Sequence, residues 1–200
     1  MADAKRGAVV HVVDDDGDLS EAVARLLARN GYDARAFISP AAMFAHHANA
    51  PAHCIVTDVM MGDMDGFALA QQLRTRDQAT AIIFMTAWPT TANAVDAIRR
   101  YGGLDYLEKP IDEDRLLAAV AEGAAWSERR RMALARIASL TPRERDVLTH
   151  LAQGMSNKMV AAQLGLSPKT IEDHRASIVA KTSMTNAAGL IALMRDVQEE

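Results

Sequence analysis

The chain has 200 residues, half of them hydrophobic, and a formal net charge of −4; since domains usually run about 100–200 residues, there is room for one full domain and a smaller one. The single cysteine, Cys54, excludes an internal disulfide framework and zinc-finger spacing and fits a reducing cytosol. No apolar run reaches the roughly 18 residues of a membrane span and no signal-peptide core follows the N-terminus, so a soluble, cytoplasmic protein with no membrane partner is expected.

In chain order, the apolar run Val9-Val10-His11-Val12-Val13 reads as a strand that ends at Asp14-Asp15-Asp16. Leu19, Val23, Leu26 and Leu27 follow at helical spacing, and Asn30-Gly31 stops that helix. Residues 32–37 form a short alternating strand, and Ser39-Pro40 caps a second helix that Ala50-Pro51 closes. Cys54-Ile55-Val56-Thr57, a buried strand, stops at Asp58, where a Gly/Asp-rich loop to Gly66 begins. A third helix spans residues 66–76 with Phe67, Leu69 and Leu73 inward. Ile82-Ile83-Phe84-Met85 ends at Thr86, a fourth helix covers residues 90–100 with Val95 and Ile98 inward, and Leu104-Asp105-Tyr106-Leu107 runs through Glu108 to Lys109-Pro110. Asp112 opens a fifth helix with Leu116, Leu117 and Val120 inward. Near-continuous apolar runs separated by helices predict an α/β fold, a (βα)5 doubly wound parallel sheet, and such sheets bind ligands beyond the carboxyl ends of their strands. Asp14, Asp15, Asp58, Thr86 and Lys109 should therefore converge.

Beyond residue 121 the strand signal ends. Glu128-Arg129-Arg130-Arg131, then Met132, Leu134 and Ile137, read as a helical linker over residues 122–137. Thr141-Pro142-Arg143-Glu144 is a capping box, Ser156 caps a helix over 157–164 that Gly165 ends, and Ser167-Pro168 caps another to about residue 182. Residues 186–197 make a last helix with Leu190, Ile191 and Met194 at core spacing. Two short helices joined by Gly165-Leu166-Ser167 are a helix-turn-helix candidate in an all-α C-terminal domain. Charge divides the same way. Residues 1–121 hold 11 Lys/Arg against 17 Asp/Glu, a balance of −6, and residues 122–200 hold 11 against 9, a balance of +2; the first suits a cation, the second phosphates.

Three crowded carboxylates repel one another unless a hard cation sits among them, and Mg²⁺ takes one or two carboxylates together with water and phosphate. With charge neutralised, one carboxylate can attack a phosphoryl group, in chemistry that is mostly positioning and electrostatics. Asp58 is the expected nucleophile, Thr86 a hydroxyl donor to the phosphoryl oxygens, and Lys109 a point charge against them. His46, His47, His53 and Cys54 lie near one another in sequence, but adjacent histidines on a helix point about 100° apart; the histidines are expected on the exposed surface. Trp88 is expected to pack locally.

The set Val12-Val13-Asp14-Asp15, Val56-Thr57-Asp58, Met64-Asp65-Gly66, Thr86-Ala87 and Lys109-Pro110 strongly resembles the receiver domain of two-component response regulators, across about residues 7–122. The resemblance implies a flavodoxin-like receiver in which Asp58 accepts phosphate from the histidine of a sensor histidine kinase. It also implies that Asp15, Asp58 and the backbone carbonyl of Met60 ligate Mg²⁺, that Asp14 assists through water, and that Tyr106 is an aromatic switch that turns inward when Thr86 shifts. Gly62 stands where the family usually has proline, and residues 100–104 are one residue longer than the usual passage, on a face many relatives use to dimerise.

Leu140-Thr141-Pro142-Arg143-Glu144-Arg145, Gly154-Met155-Ser156-Asn157-Lys158 and Ser167-Pro168-Lys169-Thr170-Ile171-Glu172-Asp173-His174-Arg175 resemble the four-helix DNA-binding domain of the LuxR/NarL/FixJ family, over about residues 138–197. Together the two resemblances identify a FixJ/NarL-type transcription regulator, with a receiver over 1–121, a linker over 122–137 and a LuxR-type helix-turn-helix domain over 138–200. An aspartate-nucleophile enzyme would need a substrate pocket or cap, which a compact helical set does not offer, so no enzyme is expected. A regulator without phosphate control is opposed by the complete set of acids, hydroxyl and lysine. On the recognition helix Ile171 and Ile178 share a buried face, leaving Lys169, Asp173, Ala176 and Ala180 opposite with Glu172 beside them. A carboxylate there can accept from a cytosine amino group and Ala176 can touch a thymine methyl, while Asn157, Lys158, Thr170, Arg175 and Lys181 suit phosphates. The basic surplus is small, so a homodimer on two promoter half-sites is expected; pairing is either driven by phosphate or constitutive through residues 121–137.

Overall fold

The computed structural model describes residues 7–198. Strands β1 (Val9–Val13), β2 (Asp33–Phe37), β3 (Cys54–Asp58), β4 (Ala81–Thr86) and β5 (Asp105–Glu108) form one parallel sheet in the order β2-β1-β3-β4-β5. They alternate with helices α1 (Gly17–Arg29), α2 (Pro40–His47), α3 (Gly66–Arg76), α4 (Thr91–Arg99) and α5 (Glu113–Ala138). Short polar side chains start the helices: Asp16, Ser39, Asp65 and Thr90 each accept from a free backbone N–H three residues on, in the first turn of the helix that follows.

Helices cover both faces, which is why β3 and β4 are buried along their whole length. On one face Val10, Val12, Val56, Ile83 and Met85 pack against Val23 and Leu27 of α1 and Leu116 and Val120 of α5. On the other, Val13, Ile55, Ile82 and Phe84 meet Met43 and Phe44 of α2, Leu69 and Leu73 of α3, and Ala97 of α4. Cys54 is wholly buried, and burial pushes its thiol up to about 12.

One expectation for this unit needs correction. Val95 and Ile98 of α4 are exposed, and Ala97 alone is buried. The reason is close approach: a Cβ at Gly103 would stand 2.6 Å from the Phe84 ring and 2.9 Å from the Ala97 carbonyl, so α4 seats on the sheet through its one small residue. Helix α5 is continuous from Glu113 to Ala138, so residues 122–137 lie within it. The passage over residues 100–104 is braced: Arg74 donates to the carbonyls of Thr80 and Gly102, the latter at φ +63°, and Tyr101 stacks on Phe67 at 4.5 Å.

The chain splits into two compact units, Met1–Glu128 and Arg129–Glu200. The second contains α6 (Pro142–Ala152), α7 (Asn157–Leu164), α8 (Pro168–Thr182) and α9 (Ala187–Gln198). Its core is Val147, Leu148 and Leu151 of α6, Val160 of α7, Ile171 and Ile178 of α8, and Leu190 and Leu193 of α9, with Ala133 of α5. Ile191, expected in this core, is exposed, and Leu193 takes the position. The turn between α7 and α8 passes through Gly165 at φ +66°, in the left-handed region where only glycine is free of a Cβ penalty. Among the described residues no helix is long and apolar enough to cross a membrane.

Candidate functional site

The carboxyl ends of β1, β3, β4 and β5 lie side by side, with Asp58 paired in register to Met85 and Thr86 to Glu108. Parallel strands end together, so the residues just past each end share one edge. There Asp14, Asp15 and Asp58 bring carboxylate oxygens within 4.8 Å of one another, the one such His/Cys/Asp/Glu cluster among the described residues. Asp14 and Asp58 are buried and Asp15 is exposed. The Lys109 ammonium enters the cluster, 2.7 Å from Asp14 Oδ2 and 3.0 Å from Asp58 Oδ1. It is held there partly by its own backbone N–H, which donates to the Thr86 carbonyl at 2.7 Å.

Burial raises the Asp58 carboxyl above its ordinary range, opposed by the hydrogen bond and charge of Lys109. Burial pulls Lys109 down, but its hydrogen bonds to Asp14 and Asp58 outweigh that and leave it raised. At neutral pH the cluster is thus a lysine balanced between two buried acids, with the exposed Asp15 beside them. Thr86 is buried, and its Oγ1 accepts from the Trp88 backbone N–H at 3.1 Å, which leaves the hydroxyl proton free to donate. Gly66 has no alternative here, because any Cβ would collide with the Asp58 carbonyl oxygen. Gly62 meets nothing within 4 Å.

Met60 lies in the loop just past Asp58 with its side chain exposed. Tyr106 is half-buried and its hydroxyl is enclosed with no hydrogen-bond partner. Trp88, expected to pack locally, is 71% exposed. The expectation of exposed histidines fails for His47. It is buried, its Nδ1 accepting from the Ala52 N–H and its Nε2 facing Asp77 at 3.3 Å.

His11 stands inside the apolar run of β1 with no local signal of a role. It is fully buried, packed against Phe37, His46 and His47 at 5.0–5.5 Å between ring centroids, and both its nitrogens lack partners. Burial, with the charges of His47, His46 and Arg35, lowers it from 6.5 to about 3. Because the folded pKa is depressed, the unfolded chain binds more protons between pH 6.5 and 3, and stability is lost as pH falls through that window. Wild type should lose about 1–2 kcal/mol more than His11→Gln between pH 6.5 and 5. Urea unfolding at the two pH values measures this, and parallel losses in both proteins would contradict it.

In the helical unit, Lys169, Glu172, Asp173, Ala176 and Ala180 of α8 are all exposed, opposite the buried Ile171 and Ile178. Thr170 is half-buried beside the cap, where its N–H donates to Ser167 Oγ. Lys158 is exposed on α7, and Arg175 reaches Asn157 Oδ1 at 3.5 Å. Lys181, expected to face phosphates, is engaged elsewhere. Its ammonium sits 2.9 and 2.7 Å from the two carboxylate oxygens of the buried Glu144, which also accepts from Ser177. Spacing along the chain announced the Glu144 capping box but not this partner 37 residues away.

The hydrogen bonds from Lys181, Ser177 and the Thr141 backbone lower the Glu144 carboxyl from 4.5 to about 2. Its stabilisation is therefore complete above pH 4.5 and fades as pH falls toward 2. Lys181→Ala should cost the helical unit about 1–3 kcal/mol at pH 7, and that difference should shrink below pH 4. Denaturant melts followed at 222 nm would show it; an equal difference at both pH values would refute it.

Residues 10–121 match the response regulator receiver domain family, and residues 138–194 match the family described as bacterial regulatory proteins, luxR family. The transcriptional regulatory protein FixJ of Azorhizobium caulinodans is 38% identical over 93% of this chain and 90% of its own length. FixJ of Bradyrhizobium diazoefficiens is 35% identical over 92% and 93%. Among solved structures, full-length FixJ from B. japonicum superposes with a TM-score of 0.56 at 30% identity, covering 95% of this chain and 97% of that one. Response regulator StyR gives 0.55 at 31%, covering 95% and 98%. The receiver implies a histidine kinase partner and the luxR-type domain implies DNA binding. The chain belongs to the two-component response regulators that join a receiver to a LuxR-type helix-turn-helix, a family of transcription regulators and not of enzymes.

Proposed function

We propose that this chain accepts a phosphoryl group on Asp58 from a sensor kinase histidine and, so modified, pairs and binds promoter half-sites in the cytoplasm. The observation that carries this reading is the Lys109 ammonium seated between Asp14 and Asp58, beside the buried Thr86. An Asp58 oxygen attacks phosphorus, the P–N bond to the kinase imidazole breaks, and the imidazole keeps that electron pair. Lys109 and the Thr86 hydroxyl are the donors for the phosphoryl oxygens. A cluster of carboxylate oxygens is the hard donor set that suits Mg²⁺. Asp15, Asp58 and the Met60 carbonyl would hold it, with Asp14 assisting through water; when bound, it supplies positive charge against the phosphoryl oxygens.

Residues 1–121 are assigned to the receiver, 122–137 to a helical linker and 138–200 to DNA binding. Lys169, Glu172, Asp173 and Ala176 are assigned to base edges, and Asn157, Lys158, Thr170 and Arg175 to phosphates. Lys181 leaves that set because Glu144 engages it. Tyr106 is the switch residue coupled to Thr86. The exposed Val95 and Ile98 of α4 support pairing through that helix.

Incubated with Mg²⁺ and a small phosphodonor, the chain should gain one base-labile acyl phosphate, and Asp58→Asn none. Intact-mass measurement reads this directly, and equal uptake by both proteins would remove Asp58 as acceptor.

A further inference from the structure

The exposed face of α8 carries an arrangement whose chemistry is more specific than a row of charged side chains. Lys169 Nζ lies 3.2 Å from Asp173 Oδ1, one helical turn on, and 3.7 Å from Glu172 Oε2. All three side chains are more than half exposed. The hydrogen bond to Asp173 raises the Lys169 ammonium, so it stays charged. These residues occupy the first two turns of the second helix of the helix-turn-helix, the part of such a helix that meets base edges.

One ammonium and one carboxylate about a hydrogen bond apart form a donor–acceptor couple. The major-groove edge of a single base pair offers the complementary couple. In C·G, the cytosine N4 amino group donates to guanine O6, so those atoms are about 2.9 Å apart, and guanine N7 adds a second acceptor on the far side. A carboxylate over N4 and an ammonium over O6 and N7 are then satisfied together. An A·T pair has an amino group beside a carbonyl as well. There, however, adenine N7 turns a lone pair toward the carboxylate side, and the thymine methyl crowds the ammonium. Reversing the pair to G·C places the carboxylate against two acceptors and the ammonium against an amino group. Solvent-exposed ion pairs add little to stability, so such a couple exchanges its internal partner for base edges at small cost.

We propose that Lys169 and Asp173 act as one two-point reader of a single C·G base pair in each half-site, with cytosine on the Asp173 side and guanine on the Lys169 side. This deepens the DNA-binding reading above and rests on it. Glu172, on the other flank of the ammonium, keeps Lys169 over the groove instead of letting it swing to the nearer phosphates.

The test is a selection from random-sequence duplexes with the full chain, treated with Mg²⁺ and a small phosphodonor. It compares wild type, Asp173→Ala, and the exchanged variant Lys169→Asp with Asp173→Lys. Wild type should enrich half-sites with one C·G position. Asp173→Ala should lose preference there by about tenfold or more while keeping the rest of the motif, and the exchanged variant should prefer G·C at that position. Far-ultraviolet circular dichroism confirms that the variants remain folded, as expected for exposed positions. A wild-type motif whose every position survives both changes would overturn the two-point reader and leave DNA binding intact. Enrichment of no motif by wild type would remove the DNA-binding reading itself, and this inference with it.

Discussion

Lys109→Ala should destabilise the receiver unit by about 3–5 kcal/mol in Mg²⁺-free buffer at neutral pH, the usual cost of stranding a buried charge whose partner is removed. Lys109 is itself largely enclosed and its ammonium bonds both Asp14 and Asp58. Without it, two buried carboxylates face each other at a site where burial already raises Asp58. Asp58→Asn works in the opposite direction. Because the folded pKa of Asp58 is raised, its ionised form opposes folding at neutral pH, and neutralising it should stabilise the chain. In Lys109→Ala, Asp58→Asn should therefore recover part of the loss, a coupling that simple additivity would miss. Millimolar Mg²⁺ should stabilise Lys109→Ala more than wild type, because the cation then has no ammonium to compete with. Urea unfolding of the four proteins, with and without Mg²⁺, measures all of this. A Lys109→Ala loss below about 1 kcal/mol, unaffected by Mg²⁺, would show that the ion pair does not hold the cluster together.

The receiver was legible because its chemistry sits where strand periodicity stops. Asp14, Asp58, Thr86 and Lys109 each follow an apolar run, and the parallel sheet brings those ends together in register. What periodicity could not tell is which apolar residues a short helix leaves outside. Val95 and Ile98 have helical spacing, yet α4 touches the sheet through Ala97, because Gly103 lets the backbone come against Phe84. His11 was hidden for the converse reason: a polar residue inside an apolar run carries no mark of whether it will find a partner, and here it finds none. On α8 the 3.6-residue repeat assigned the outer face correctly, since Lys169, Glu172, Asp173, Ala176 and Ala180 are all exposed. It gave no sign that Lys181 pairs with Glu144 of α6. Long-range ion pairs of this kind leave no local signature.

Exposed α4 leads to the second large effect. Under the proposed function, phosphate on Asp58 would add charge for the Thr86 hydroxyl and Lys109 to satisfy, so Lys109 would give up part of its bonding to Asp14 and the Thr86 loop would move toward the phosphoryl group. Trp88 and the start of α4 would follow, because the Trp88 N–H is bonded to Thr86 Oγ1 and Thr90 caps α4. The surface that would shift carries Val95 and Ile98, apolar and 46% and 43% exposed, with Tyr106 behind it on β5. If this face pairs only in its phosphorylated form, a beryllofluoride adduct should lower the dimer dissociation constant at least tenfold, which is about 1.4 kcal/mol of coupling. Ile98→Asp should abolish that response by placing two like charges in the pairing surface, without disturbing a core to which Ile98 does not contribute. Sedimentation velocity on wild type and Ile98→Asp, with and without the adduct, separates the two origins of pairing. A wild-type dimer of the same strength in both states, untouched by Ile98→Asp, would assign pairing to a constitutive contact such as residues 121–137 and remove phosphate-driven dimerisation through α4.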